Sequence, residues 1–384
     1  MGLNLPGLKT KLAKVAALGA LGVLVCAYQN CAPAFKVGTL NSSTGASVAP
    51  THKVSVFMAS GHMGRTVYSC DDGKTWIGDR SHDDNARCWR TGDPNYVECD
   101  HTPYSGHGID SGDGLFFTNF GWGADGSIQM SSDGRNWKTL KSDGWGGGVA
   151  YADQTLYLGW NGGWRSADLG KTWTADPART MGLFDHATVS RVNDKFVIIG
   201  RGDGIAISTN QGLTWDHTPT FPVASGQYIA EGNGILVTVG ASGSTPAVGK
   251  ASRSTDNGAT WETNDVFSQN YLSFNGLLFN GSEFVAFSPG LIWKSADGRT
   301  WTRTNVVIPN FNLGLFSGPV SYNKDTGTYV RITAAWDNYY EKQFALRSTD
   351  GVNWTVLDTA HFKGGHPMST MTLGTMDSSA CAGN

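Results

Sequence analysis

Along most of this chain, apolar residues come in short runs cut by Gly, Asn and Asp, a pattern that predicts β-strands joined by tight turns. Val54-Ser55-Val56-Phe57, Ile235 to Gly240 and Leu291-Ile292-Trp293 are typical runs. The stretch from His186 shows the unit most clearly: His186 to Val192, Lys195 to Gly200, Gly204 to Ser208 and a run from Thr214 read as four consecutive strands, with Asn193-Asp194 turning the first into the second.

One turn recurs. The pattern Ser-x-Asp-x-Gly-x-x-Trp, or a form one residue shorter, spans Ser69 to Trp76, Ser131 to Trp137, Ser166 to Trp173, Ser208 to Trp215, Ser254 to Trp261, Ser295 to Trp301 and Ser348 to Trp354. Its Gly supplies a positive backbone angle, and its carboxylate or amide accepts from nearby backbone N–H groups. Asp71, Asp133, Asp168, Asn210, Asp256, Asp297 and Asp350 are therefore read as structural. Burying each indole is expected to contribute about 4–6 kcal/mol before entropy. The copies recur about every 46 residues, the length of a four-stranded propeller blade. The expected fold is all-β: a seven-bladed β-propeller of four-stranded antiparallel blades, each repeat at the turn between strands c and d, counted outward from the centre. The first blade lacks an inner strand ahead of Val54, and Gly365 to Leu373 can supply it from the far end of the chain.

These seven boxes resemble the Asp-box, or bacterial neuraminidase, repeat of sialidase-like propellers. The resemblance covers essentially everything after residue 52. The family spans enzymes, lectin-like binders and receptors, so it implies a fold far more firmly than a function. A sialidase needs three arginines around the substrate carboxylate, a Tyr–Glu pair and an acidic Asp. Arg65, Arg201, Arg253 and Arg331 are present, but none stands in a matching context, and no catalytic residue is carried over.

Charged residues are few, at 16%, the net charge is −3, and the 51 glycines suit a turn-rich β protein. No basic stripe appears, so nucleic acid is not an expected partner. Residues 1–34 read as an export leader: Lys9, Lys11 and Lys14 precede the mostly apolar run Val15 to Ala27. Ala32-Pro33-Ala34 offers a cleavage site, and Cys31 after Gln29-Asn30 offers an alternative lipid attachment point, although the usual lipobox has a small residue where Asn30 stands. Residues 35–52 suit a flexible tether and 53–384 the propeller. The expected location is exported: periplasm, outer membrane or cell surface, or else secreted, with membrane attachment only through an N-terminal lipid. Among Cys70, Cys88, Cys99 and Cys381, three pairings are possible; Cys70–Cys381 with Cys88–Cys99 is favoured, the first tying the C-terminus to blade 1. No metal site is expected, nor any cofactor, since no CxxC, HExxH or phosphate-cradling loop occurs.

In propellers the face opposite the c–d turns commonly carries the ligand, and applying this here is analogy. Connections on that face are aromatic and Gly-rich: Trp122, Trp160, Trp164, Trp336, Tyr339 and Tyr340 are candidate platforms for sugar rings. His107, His186 and His366 fall at the starts of inner strands, and Arg201 and Asp203 lie in a loop, all as candidate ligand contacts. The expected function is a non-catalytic binding module, monomeric, for a glycan or surface protein. The alternative is a glycoside hydrolase or lyase using carboxylates drawn from Asp110, Asp113, Asp125, Asp185, Asp203, Glu231, Asp337 and Glu341. A protein-assembly scaffold is the third reading.

Overall fold

The computed structural model describes residues 52–61, 65–78, 106–120, 127–142, 147–159, 163–176, 188–199, 204–218, 228–241, 248–270, 274–333, 343–357 and 368–382. All belong to one compact unit, Thr51–Asn384. They form seven four-stranded antiparallel sheets, the expected β-propeller. The inner strands, in blade order, are Met368–Asp377, Gly106–Gly112, Val149–Ala152, Thr188–Val192, Tyr228–Gly232, Gly276–Phe279 and Val320–Asn323. Blade 4 is the pattern read from the sequence: Thr188–Val192, Lys195–Ile199, Ile205–Ser208 and Asp216–Thr218 pair in that order.

The ring closes as the orphaned first strand requires. Met368–Asp377 pairs antiparallel with Lys53–Gly61, from Lys53 opposite Asp377 to Ser60 opposite Thr370. It then runs into a short helical turn, Ser378–Cys381, where Cys381 is disulfide-bonded to Cys70 with Cα atoms 6.0 Å apart. Asp72, two residues after Cys70, accepts from Thr326, Thr328, Asn323 and Arg347 of blade 7. A strand and a covalent bond thus tie the C-terminal segment into blade 1, and an ionic cluster joins blade 1 to blade 7. Cys88 and Cys99 lie outside the described residues, as does Cys31.

The core consists of apolar layers between neighbouring blades. Phe57, Ala59, Val67 and Trp76 of blade 1 pack on Val330, Ile332 and Ala345 of blade 7. Val285, Phe287 and Ile292 of blade 6 pack on Tyr329, Leu346 and Trp354 of blade 7. Successive side chains of a strand point to opposite faces, so each sheet buries both faces. At the centre, some blades meet backbone to backbone. Gly148 has φ +96°, and a Cβ there would stand 2.3 Å from the Val189 carbonyl oxygen, so only glycine allows blades 3 and 4 this approach.

Candidate functional site

The seven repeat turns share one bonding scheme. In the first, Ser69 Oγ donates to Asp71 Oδ1 at 2.8 Å and accepts from the Gly73 N–H at 2.9 Å. The same carboxylate accepts from the Thr75 N–H, and its other oxygen from the Thr75 hydroxyl. Asn136 and Asn353 replace that threonine in two short copies. Where Asn210 stands, its Oδ1 accepts from Ser208 and the Thr214 N–H while its amide donates to the Thr214 hydroxyl. The serine, which the spacing revealed but to which no role was given, is thus the hub of each turn. The long forms need two consecutive left-handed residues, such as Gln211 (φ 51°) before Gly212 (φ 79°), whereas the short forms need only the glycine.

These contacts hold the carboxylates ionised. The Thr172 N–H and hydroxyl bring Asp168 down to about 2, and the hydroxyls of Thr260 and Ser254 do the same for Asp256. Burial opposes the shift at Asp350, but bonds from Asn353 and Val352 outweigh it and leave it at about 2. The tryptophans differ from expectation. Trp76 and Trp354 are buried, but the other five are only half-buried, so the full burial contribution holds for two of them. Several have a polar task as well: Trp137, Trp173, Trp261, Trp301 and Trp354 donate Nε1–H to the carbonyl of the glycine in their own turn.

The seven inner strands surround a cavity of about 450 Å³, to which every blade contributes lining residues. Its wall is mixed in character: Ile109, Asp110, Arg191, Tyr228, Asn275, Leu277, Pro319, Thr370 and Met371 all face it. At the end where the inner strands turn back, Asp110 is a hub. It accepts Arg191 Nε at 2.8 Å and Nη2 at 2.8 Å, the Tyr151 N–H at 2.8 Å and the Ser111 N–H at 2.8 Å. Arg191 also donates to the carbonyls of Ser111 and Asn193. This bidentate pair is the stronger kind of charge-assisted bond, and it ties blades 2, 3 and 4 together.

At the opposite end, where the inner strands begin, a second arginine is differently placed. Arg331, on the second strand of blade 7, is fully buried. Its guanidinium stands 4.3 Å from the Phe316 ring and 4.9 Å from the Phe287 ring. Nη1 donates to Asn275 Oδ1 at 2.9 Å and to the Phe316 carbonyl at 3.3 Å. Nε and Nη2 are buried with no acceptor, and no carboxylate is paired with the group among the described residues. Burial pulls its pKa down to about 9, with Tyr228 acting in the opposite sense, so it remains a cation at neutral pH. Burial in turn raises the Tyr228 phenol, which the nearby Arg331 works to lower. Desolvating an unpaired guanidinium costs several kcal/mol, of which two aromatic faces return part.

Of the residues nominated from sequence, Trp164 begins the third strand of blade 3; it is half-buried against the cluster around Phe117 and Leu158, with the Lys141 ammonium 4.4 Å from its ring centre. His107 lies on the inner strand of blade 2 at a shift of register between Gly106 and Gly108. Trp122, Trp160, Trp336, Tyr339, Tyr340, His186, His366, Arg201 and Asp203 lie outside the described residues, as do the carboxylates Asp125, Asp185, Asp337 and Glu341. The three described carboxylates are all engaged: Asp110 as above, Asp113 with the Tyr151 hydroxyl at 2.6 Å, and Glu231 with Lys195 Nζ at 2.8 Å. Arg331 is not among the ligand contacts that the sequence suggests. Its only sequence signal is a lone charge inside the strand Thr328–Ile332, next to Val330 and Ile332.

Among solved structures, the chain is similar to the GH74 xyloglucanase from Xanthomonas campestris. The TM-score is 0.50 at 13% identity, covering 82% of this chain and 56% of the xyloglucanase. It also matches YCF48 bound to D1 peptide (TM-score 0.47, 13% identity, 70% of this chain and 92% of that one) and YCF48 from Cyanidioschyzon merolae (TM-score 0.46, 12% identity, 67% and 86%). No family model matches the chain, and no curated protein matches it. At such identities the likeness speaks for the propeller fold alone.

Proposed function

We propose that this protein is an exported, Asp-box-type propeller that serves as a binding module, its ligand seated over the end of the central cavity where the inner strands begin. The observation that carries this reading is the cavity itself: seven strands contribute a mixed polar and apolar wall of about 450 Å³, the kind of concave surface that small ligands and protruding loops occupy. Among the described candidates, Asp110, Asp113 and Glu231 are each engaged in structural bonds and form no pair of carboxyl groups facing a cleft, as a glycosidase needs. The ligand is a glycan or a loop of a surface protein, and the N-terminal leader delivers the module to the envelope or beyond.

Glycan-array binding by the oxidised protein tests the first ligand class, and a pull-down from envelope extracts tests the second. Binding that is lost when Tyr228→Ala and Met371→Ala alter the cavity wall supports the reading. Binding unaffected by both variants moves the ligand elsewhere on the ring, and release of reducing sugar from a bound glycan replaces the module with a hydrolase.

A further inference from the structure

Arg331 is the one described arginine whose guanidinium is wholly buried, has two nitrogens without an acceptor and has no carboxylate beside it. Three observations connect it to the cavity. Asn275, which accepts from Nη1, lines the cavity, and so do Tyr228 and Gly276. Tyr228 feels the charge of Arg331. A Cβ at Gly276 would meet Val320 first, then Phe287, and stand 3.7 Å from Nη2, so the guanidinium lies directly behind this cavity-lining residue. The rings of Phe287 and Phe316 hold the guanidinium plane in place without satisfying its in-plane donors, since an aromatic face attracts the charge but accepts little from an edge N–H. What remains is a fixed, planar pair of donors, Nε and Nη2, arranged as a carboxylate requires.

We propose that Arg331 is the anchor of an anion site at the strand-start end of the cavity, taking a carboxylate group on Nε and Nη2, with the Tyr228 hydroxyl and the Asn275 amide at its rim. The proposal rests on the reading of the cavity as the binding site and gives that site a preference of charge: the favoured ligand carries a carboxylate into the cavity. Its charge neutralises a cation that the fold otherwise leaves unpaired, so binding and stability are coupled.

The test uses the full protein and sodium acetate as probe, titrated at constant ionic strength against the sodium salt of a bulky sulfonate. The thermal midpoint of the wild type is expected to rise with acetate and saturate. In Arg331→Met the response is expected to vanish, and in Arg331→Lys, which keeps the charge but loses the planar fork, to weaken several-fold. A flat wild-type response overturns the site, as does an equal response in Arg331→Met. Should Arg331→Met fail to fold, Tyr228→Phe and a bromide soak of wild-type crystals decide: anomalous density within hydrogen-bonding distance of Nη2 supports the site, and its absence there overturns it. The two readings fail separately. Acetate binding with no glycan or protein ligand leaves the anion site standing and removes the module, whereas a ligand bound equally by wild type and Arg331→Met leaves the module and removes the anion site.

Discussion

Arg191 and Arg331 reach towards the same cavity from opposite ends, and their surroundings are opposites too. Arg191 meets Asp110 through two parallel bonds, and the carboxylate also gathers backbone donors from two blades. Nearby, blades 3 and 4 press together at Gly148. Arg331 has aromatic faces, an amide oxygen and a carbonyl, but no counter-charge. In the repeat turns, as at Asp110, the carboxylate is surrounded by its own donors. A scaffold spends its ionic groups on itself; a cation buried between two rings with no counter-charge is the group the proposed anion would pair.

The comparison breaks first in acid. The turn carboxylates titrate below the ordinary range, at about 2 for Asp168, Asp256 and Asp350. A depressed folded-state value means that their stabilisation is complete above the unfolded value, near 4, and is lost as pH falls towards 2. The thermal midpoint is therefore expected to hold steady above about pH 5 and fall steeply between about pH 4 and pH 2. Asp256→Asn, which imitates the natural Asn210, should make that fall shallower. A wild-type midpoint unchanged down to about pH 2.5 would show that the turns draw no stability from their charge.

The next largest effect comes from making Arg191 resemble Arg331. Asp110→Asn leaves a guanidinium without its counter-charge and should cost about 3 kcal/mol in denaturant unfolding, the lower end for a buried pair because Arg191 keeps some contact with water. A loss below about 1 kcal/mol would mean that the pair is ornamental. The reverse exchange sharpens the contrast. Asn275→Asp supplies Arg331 with the carboxylate it lacks, at the expense of the amide donor to Phe316, and a net gain of about 1 kcal/mol is expected, together with loss of the acetate response. The smallest effect lies in the turns: Gln211→Asn places a residue tolerant of left-handed backbone at φ 51° and should stabilise by about 0.5 kcal/mol, read as a shift in the denaturant midpoint.

The two regions were unequally legible in the sequence. A turn made of Ser, Asp, Gly and Trp at fixed spacing announces itself because its bonds are local, within a few residues of one another. Repetition then gives the blade length, and the unpaired first strand points to its partner at the far end. The environment of Arg331 is assembled from Asn275, Gly276, Phe287 and Phe316, which lie on another blade and on the connection between blades. Nothing in the strand Thr328–Ile332 reveals that its single charge will meet two rings and no carboxylate. The burial of the repeat tryptophans is hidden for the same reason: how far an indole is covered depends on the neighbouring blade, and of the seven only Trp76 and Trp354 are buried.

The pairing of Met368–Asp377 with Lys53–Gly61 also sets an order of events. A chain that emerges N-terminus first presents the outer strands of blade 1 long before the strand that completes them, so blade 1 must wait with an uncovered edge while the other six assemble. The docked strand then brings Cys381 to Cys70, 311 residues away in sequence. Oxidation of that pair is a clock for the molecule: a full-length chain whose ring is still open is expected to carry both thiols, and their disappearance to record the moment the ring becomes whole.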